Sequence, residues 1–197
     1  PTAKWSSLLR KPQLVATIII IIFTLIWSRN RLGSLVGGAL PATPESAMDL
    51  WRSYLESWHQ VGMGSASASP TWVAIIAALS TILFGKSALF ITLFFLFAPL
   101  LMVISSFHLF AQFTKNRWLA TVCALLYAIS PVSIASINSG RLGTITVIIL
   151  LPILIMTLRK WESIDQYSWR RIWAISLLAA VIFAFSLSFI IISIFLV

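Results

Sequence analysis

Acidic residues are scarce. The 197-residue chain holds five Asp and Glu against fourteen Lys and Arg, and charged residues make up 10% of it. A soluble domain carries about a quarter charged residues. The deficit, set beside 59% hydrophobic residues, excludes an ordinary soluble domain and indicates an integral membrane protein. Cysteine is nearly absent too. Cys123 stands alone inside an apolar run, which excludes a disulfide framework and a thiolate metal site. The sequence also lacks a Walker loop, clustered His/Cys metal ligands and a nucleophile elbow. The net charge of +9 does not point to nucleic acid. Its basic residues fall in short clusters between apolar runs, where they set orientation and meet anionic lipid. The chain opens without Met and closes inside an apolar run at Val197, so a fragment of a longer protein is expected.

What is present is a series of apolar runs. Residues 12–28 (PQLVATIIIIIFTLIWS) reach roughly 25 Å as a helix, near the lower limit for a membrane span. The flanking Arg10, Lys11, Arg29 and Arg31 are placed to snorkel, and no small-x-small cleavage site directly follows, so an uncleaved anchor is expected. Residues 71–84 reach about 21 Å, which suits an interfacial or re-entrant helix. Further spans are expected at 88–110, at 118–137 with a kink at Pro131, at 142–158 with Pro152 inside it, and at 172–197. The nine tryptophans all fall at span ends or in loops, as an aromatic belt at headgroup level requires.

Charge decides between five spans and six. If residues 71–84 do not cross and the N-terminus is cytoplasmic, nine basic residues lie inside: Lys4, Arg10, Lys11, Lys115, Arg117, Arg159, Lys160, Arg170 and Arg171. The other five of the fourteen then lie outside. If 71–84 does cross, the numbers reverse and the positive-inside rule is broken. The expected fold is therefore all-α and integral to the membrane, with five transmembrane helices (six being the alternative). It divides into a cytosolic flank 1–11, a first span 12–28, an outer loop 29–87 and a membrane bundle 88–197.

Three of the five acids sit in one stretch of the outer loop, PESAMDLWRSYLESWH, residues 44–59. The pattern predicts a helix over 44–59, with Thr43 as N-cap, Pro44 at the first position, Glu45 in the first turn and Gly62 and Gly64 beyond its end. Ala47, Trp51, Tyr54, Leu55 and Trp58 make an apolar face, and Glu45, Asp49, Arg52, Glu56 and His59 a polar stripe. Such a helix lies in the interface. The stripe reads either as a solvated face laced with weak ion pairs or as the wall of an aqueous cavity supplying a catalytic carboxylate. GMGSASASPTW, residues 62–72, is a connector or a close-approach loop for a phosphate. In SGRLG, residues 139–143, Arg141 either holds a lipid phosphate or caps a tight turn. Lone polar groups within the spans, His108 and Cys123, read as packing or interface features.

The layout resembles the C-type membrane glycosyltransferases, which use polyprenyl-phosphate sugars at the outer membrane face. SPTWVAIIAALSTILFG looks like the second helix of their first outer loop, and CALLYAISPVSIASINSGRLGT like the span leading to their second. GGALPATPESAMDLWRSYLESWHQVGMGS, followed by SP, YAISP, SGRLGT and LLP, is similar to the membrane region of large actinobacterial glycosyltransferases. Some of those join a cytosolic family-2 transferase domain to a multi-span part, and the arabinofuranosyltransferases share a related region. The likeness covers roughly residues 5–160. It implies a first-loop catalytic acid, best matched by Asp49 and then by Glu45, with His59 orienting or shuttling a proton and Arg141 holding the donor phosphate. A second acid commonly sits in the family's second outer loop. NSGRLGT carries none, so a divalent cation is possible for the family but unsupported by that loop here.

The expectation from sequence is a plasma-membrane, multi-pass glycosyltransferase or its membrane part, in cell-envelope glycan assembly. Its partners are the bilayer, a lipid-linked sugar donor and a glycan acceptor, with no nucleic acid. The alternative is a non-catalytic anchor or scaffold for a cytosolic family-2 domain. A transporter ranks third, since no internal repeat is visible and the span centres are nearly free of charge.

Overall fold

A computed structural model describes residues 12–28, 46–56, 58–59, 65–66, 71–162 and 169–185. Among the described residues the elements are α1 (Pro12–Ser28), α2 (Ala47–Leu55), β1 (Trp58–His59), β2 (Ser65–Ala66), α3 (Thr71–Ile82), α4 (Ser87–Phe113), α5 (Arg117–Ala128), α6 (Pro131–Asn138), α7 (Leu142–Glu162) and α8 (Trp169–Phe185). Apart from one two-residue antiparallel ladder, Trp58 against Ala66 and His59 against Ser65, all of these elements are helices.

Among the described residues, three helical stretches are long and apolar enough to cross a membrane: Ser87–Phe113, Arg117–Asn138 and Leu142–Arg159. Pro12–Ser28, Thr71–Ile82 and Ile172–Phe185 are shorter apolar helices. The surface follows the same logic. On α1 the buried residues are Pro12, Ala16, Ile20, Thr24 and Ser28, one every four positions, while Ile18, Ile22, Leu25 and Ile26 are exposed. Water would not tolerate that much contiguous aliphatic surface. Lipid would. Inside, small residues replace large ones: Ala120, Ala124 and Ala128 of α5 are each 2% exposed or less. Such a stripe lets neighbouring backbones come close where no hydrophobic driving force separates helix from lipid.

Helix α4 is the hub and packs against α1, α3, α5 and α7. Phe95, Ala98, Pro99, Met102 and Val103 lie at its centre, all at most 2% exposed where they are hydrophobic core members. Several buried hydroxyls are satisfied along their own helices, whereas that of Ser80 has no hydrogen-bond partner. Thr24 donates to the Ile20 carbonyl at 2.7 Å, Ser106 to that of Met102 at 2.5 Å and Thr146 to that of Leu142 at 2.9 Å. At one end, Arg159 of α7 lies 4.1 Å from the ring centroid of Phe113, the last residue of α4.

The prolines act in two ways. Pro131 interrupts the Arg117–Asn138 stretch, where one helix ends at Ala128 and the next starts at Pro131. Ser130 caps it, accepting the Ser133 N–H at 3.3 Å, because a proline at the first helical position has no N–H that needs a partner. Pro152 stays inside α7. Its missing N–H would have served the carbonyl four residues back, that of Ile148.

The outer helix differs from expectation. It runs Ala47–Leu55 rather than 44–59, and Ser46 rather than Thr43 is its N-cap. Glu56 is already extended, and Trp58 and His59 are strand residues. Pairing with Ser65–Ala66 competes for the backbone of that last turn. Thr43, Pro44 and Glu45 lie outside the described residues. The apolar face also shifts. Ala47 and Leu50 are buried, Trp51 and Tyr54 are half-buried, and Leu55 is 77% exposed.

Candidate functional site

Asp49 is the expected site residue that the structure describes most fully. Ser46 forms a reciprocal pair with it. The Asp49 N–H donates to Ser46 Oγ at 3.1 Å, and the Ser46 hydroxyl donates to Asp49 Oδ2 at 2.6 Å. A short oxygen-accepting side chain before the first turn, and an anion within it, satisfy free N–H groups and complement the helix dipole. On the other side Arg52 Nη1 stands 3.8 Å from Asp49 Oδ1, with the two side chains 70% and 54% exposed. An ion pair that open contributes little. The carboxylate is thus oriented by Ser46, flanked by a cation and still open to water.

The position of α2 is set by main-chain atoms. Ala47 N–H donates to the Gly85 carbonyl at 2.8 Å, and Ser46 bridges Lys86 in antiparallel fashion. The turn that offers this carbonyl is unusual. Phe84 has φ 57° and Gly85 φ 70°, a left-handed pair that reverses the chain between α3 and α4. Glycine adopts this conformation freely and phenylalanine does not. The turn therefore holds the first residues of α2 beside the first residues of α4.

Arg141 follows a complete helix stop. Gly140 has φ 67°. The Arg141 N–H donates to the Ser136 carbonyl at 2.9 Å and the Gly140 N–H to that of Ile137 at 3.2 Å. That is the Schellman pattern. The Arg141 carbonyl then accepts the Ile145 N–H at 3.0 Å as α7 begins. The side chain is exposed. Antiparallel succession of α4, α5–α6 and α7 carries this turn to the end of the bundle where α2 is tied. Asp49 and Arg141 share that end, and each is also explained by its local backbone.

His59 is described only as a strand residue opposite Ser65, so it leaves the helical stripe that spacing gave it. Glu45 lies outside the described residues. Among the described residues, no three His, Cys, Asp or Glu side chains come together as a metal group.

A different set of residues converges at the opposite end. Gln13 of α1, His108 of α4 and Arg117 of α5 line a cavity of about 610 Å³, walled by Val103 and Phe107. An adjoining hollow of about 480 Å³ shares Gln13, Phe107, His108 and Arg117 and extends to Thr114 and Lys115. No spacing rule collects these side chains, because they come from three helices and meet only through packing. His108, expected to be a packing or interface feature, lines this crevice and stacks edge-on with Phe107. The only sequence trace was a polar residue near a span end, about two helical turns before the basic pair Lys115 and Arg117.

Compared with known proteins, the chain matches no family model, no curated protein and no solved structure.

Proposed function

We propose that the chain is a membrane glycosyltransferase, or the membrane part of one, acting in cell-envelope glycan assembly with a polyprenyl-phosphate sugar donor. The observation that carries the reading is Asp49, an oriented and water-accessible carboxylate on a short helix tied to the end of an apolar bundle. Sugar transfer to a hydroxyl needs a general base within reach of the acceptor. It also needs a cation for the phosphate that leaves. Asp49 is assigned the first role and Arg141, exposed at the same end, the second. In this reading the bundle follows the C-type plan and crosses the plasma membrane five times with a cytoplasmic N-terminus. Helix α3, with 12 residues, covers about 18 Å and stays within the outer leaflet.

In the intact protein Asp49→Asn is expected to lower sugar transfer by roughly 10²–10⁴-fold, the usual weight of a general base, while membrane insertion stays unchanged. Transfer within a factor of a few of the parent would remove Asp49 from the chemistry.

A second reading rests on the same pair of residues. Since Ser46 and Asp49 together cap α2, the acid also fits a purely structural part in a scaffold for an attached transferase domain. There, Asp49→Asn and Ser46→Ala would act alike, loosening α2 and reducing assembly with transfer per assembled molecule preserved.

A further inference from the structure

We propose that the crevice between α1, α4 and α5 binds the phosphate headgroup of an anionic membrane phospholipid. The chemistry of the walls points to this class of ligand. Arg117 and Lys115 supply cationic N–H donors, and Gln13 and His108 add polar side chains capable of donating. None of the described residues lining either hollow is acidic. An arginine fork suits a phosphate's paired oxygens, and lysine adds a point charge.

The crevice is also amphipathic in the sense a lipid requires. Its polar groups stand at the bundle end, where α4 finishes and α5 begins, beside Thr114 and Lys115. Farther in, Val103, Ile104, Phe107 and Leu14 line it. Ile104 and Leu14 are 44% and 39% exposed, so the apolar wall runs outward into the surface that faces lipid. A free phosphate would use the mouth and leave that wall bare. The volume of about 610 Å³ lies in the range of small-molecule sites and far exceeds what one phosphate ion fills. A headgroup with the upper part of its acyl chains matches both regions. This inference stands apart from the proposed transferase activity, which sits at the other end of the bundle.

The test uses the intact protein in nanodiscs of phosphatidylcholine doped with phosphatidylglycerol, followed by native mass spectrometry of the lipid each molecule retains. Phosphatidylglycerol is expected to be retained well above its share of the bilayer. Lys115→Gln should reduce that retention roughly fivefold, the effect of one basic side chain near an anionic lipid surface, and Lys115→Gln with Arg117→Gln by more. Lys86→Gln, at the other end, should leave it unchanged. Equal retention of phosphatidylglycerol and phosphatidylcholine by the unaltered protein would overturn the proposal, and this arm holds even where a variant fails to fold. An equal loss in the Lys86 variant would overturn it too, showing a diffuse surface charge. Full displacement of the lipid by millimolar inorganic phosphate would replace the lipid site with a small-anion site.

Discussion

The Tyr127 hydroxyl donates a hydrogen bond to the Ile148 carbonyl at 2.8 Å, joining α5 to α7. Ile148 is four residues before Pro152, so its carbonyl is the one that the proline deprives of an intrahelical donor. The tyrosine supplies what the helix lacks, and in a lipid-facing bundle no water stands ready to do it. Tyr127→Phe is expected to destabilise the protein by about 1–3 kcal/mol, the penalty for an unmet buried acceptor. Pro152→Ala restores the N–H, and in that background Tyr127→Phe should have an effect below about 1 kcal/mol. Denaturant titration of the four proteins in one detergent measures the coupling.

Gly143 packs where its helix meets α8. A Cβ there would run into the Phe185 carbonyl oxygen. Gly143→Ala should therefore force α7 and α8 apart and lower stability by about 1–3 kcal/mol, the range for overpacking. Thermal unfolding gives the magnitude. A cysteine pair across the two helices, with Cys123 replaced, should cross-link less efficiently in the variant.

The turn at Phe84 and Gly85 gives two opposite expectations. Gly85→Ala meets open space, since nothing lies within 4 Å of a Cβ there, yet the φ of 70° disfavours alanine by about 1–2 kcal/mol. Phe84→Gly should relieve a similar strain at φ 57° and raise the unfolding midpoint in detergent, since the ring is 88% exposed and leaves no core void. A fall in stability for Phe84→Gly would mean that the ring makes a contact worth more than the strain.

Single cysteines in a Cys123→Ser background test the crossing pattern. Positions 49, 86 and 141 should react with an impermeant maleimide on intact cells, and position 115 only after permeabilisation. Reaction at 86 and 141 only after permeabilisation would mean that α3 crosses and six spans are present.

Much of the bundle was legible in the sequence because its signals are local. Apolar length placed α1 at residues 12–28 and put short α3 within 71–84. Trp27, Trp72, Trp118, Trp161 and Trp169 sit in helix end turns, Trp51 in α2, Trp58 in the small ladder and Trp173 one turn into α8. Two of the departures come from competition settled by partners outside the local pattern. The stretch after Leu55 has helical spacing but pairs as a strand with Ser65–Ala66. Thr43 and Ser46 are both good caps, and propensity cannot choose between them. Ser46 is the cap in the structure, where it also bridges Lys86. Pro131 signalled a disturbance, but whether the chain bends or restarts depended on Ser130, whose hydroxyl lies 2.9 Å from that of Ser133. The candidate residues were legible as types, whereas the crevice at Gln13, His108 and Arg117 existed only once three helices had packed.

The link between Ala47 and Gly85 is made wholly by main-chain atoms, and so it carries no demand on side-chain identity. Residues around it can be exchanged, apart from the glycine itself, and the two segments keep their register. Movement of the turn between α3 and α4 would carry the start of α2, and the acid near it, along with it. The acid's placement is thereby tied to that turn, and the side chains around it are left free to vary.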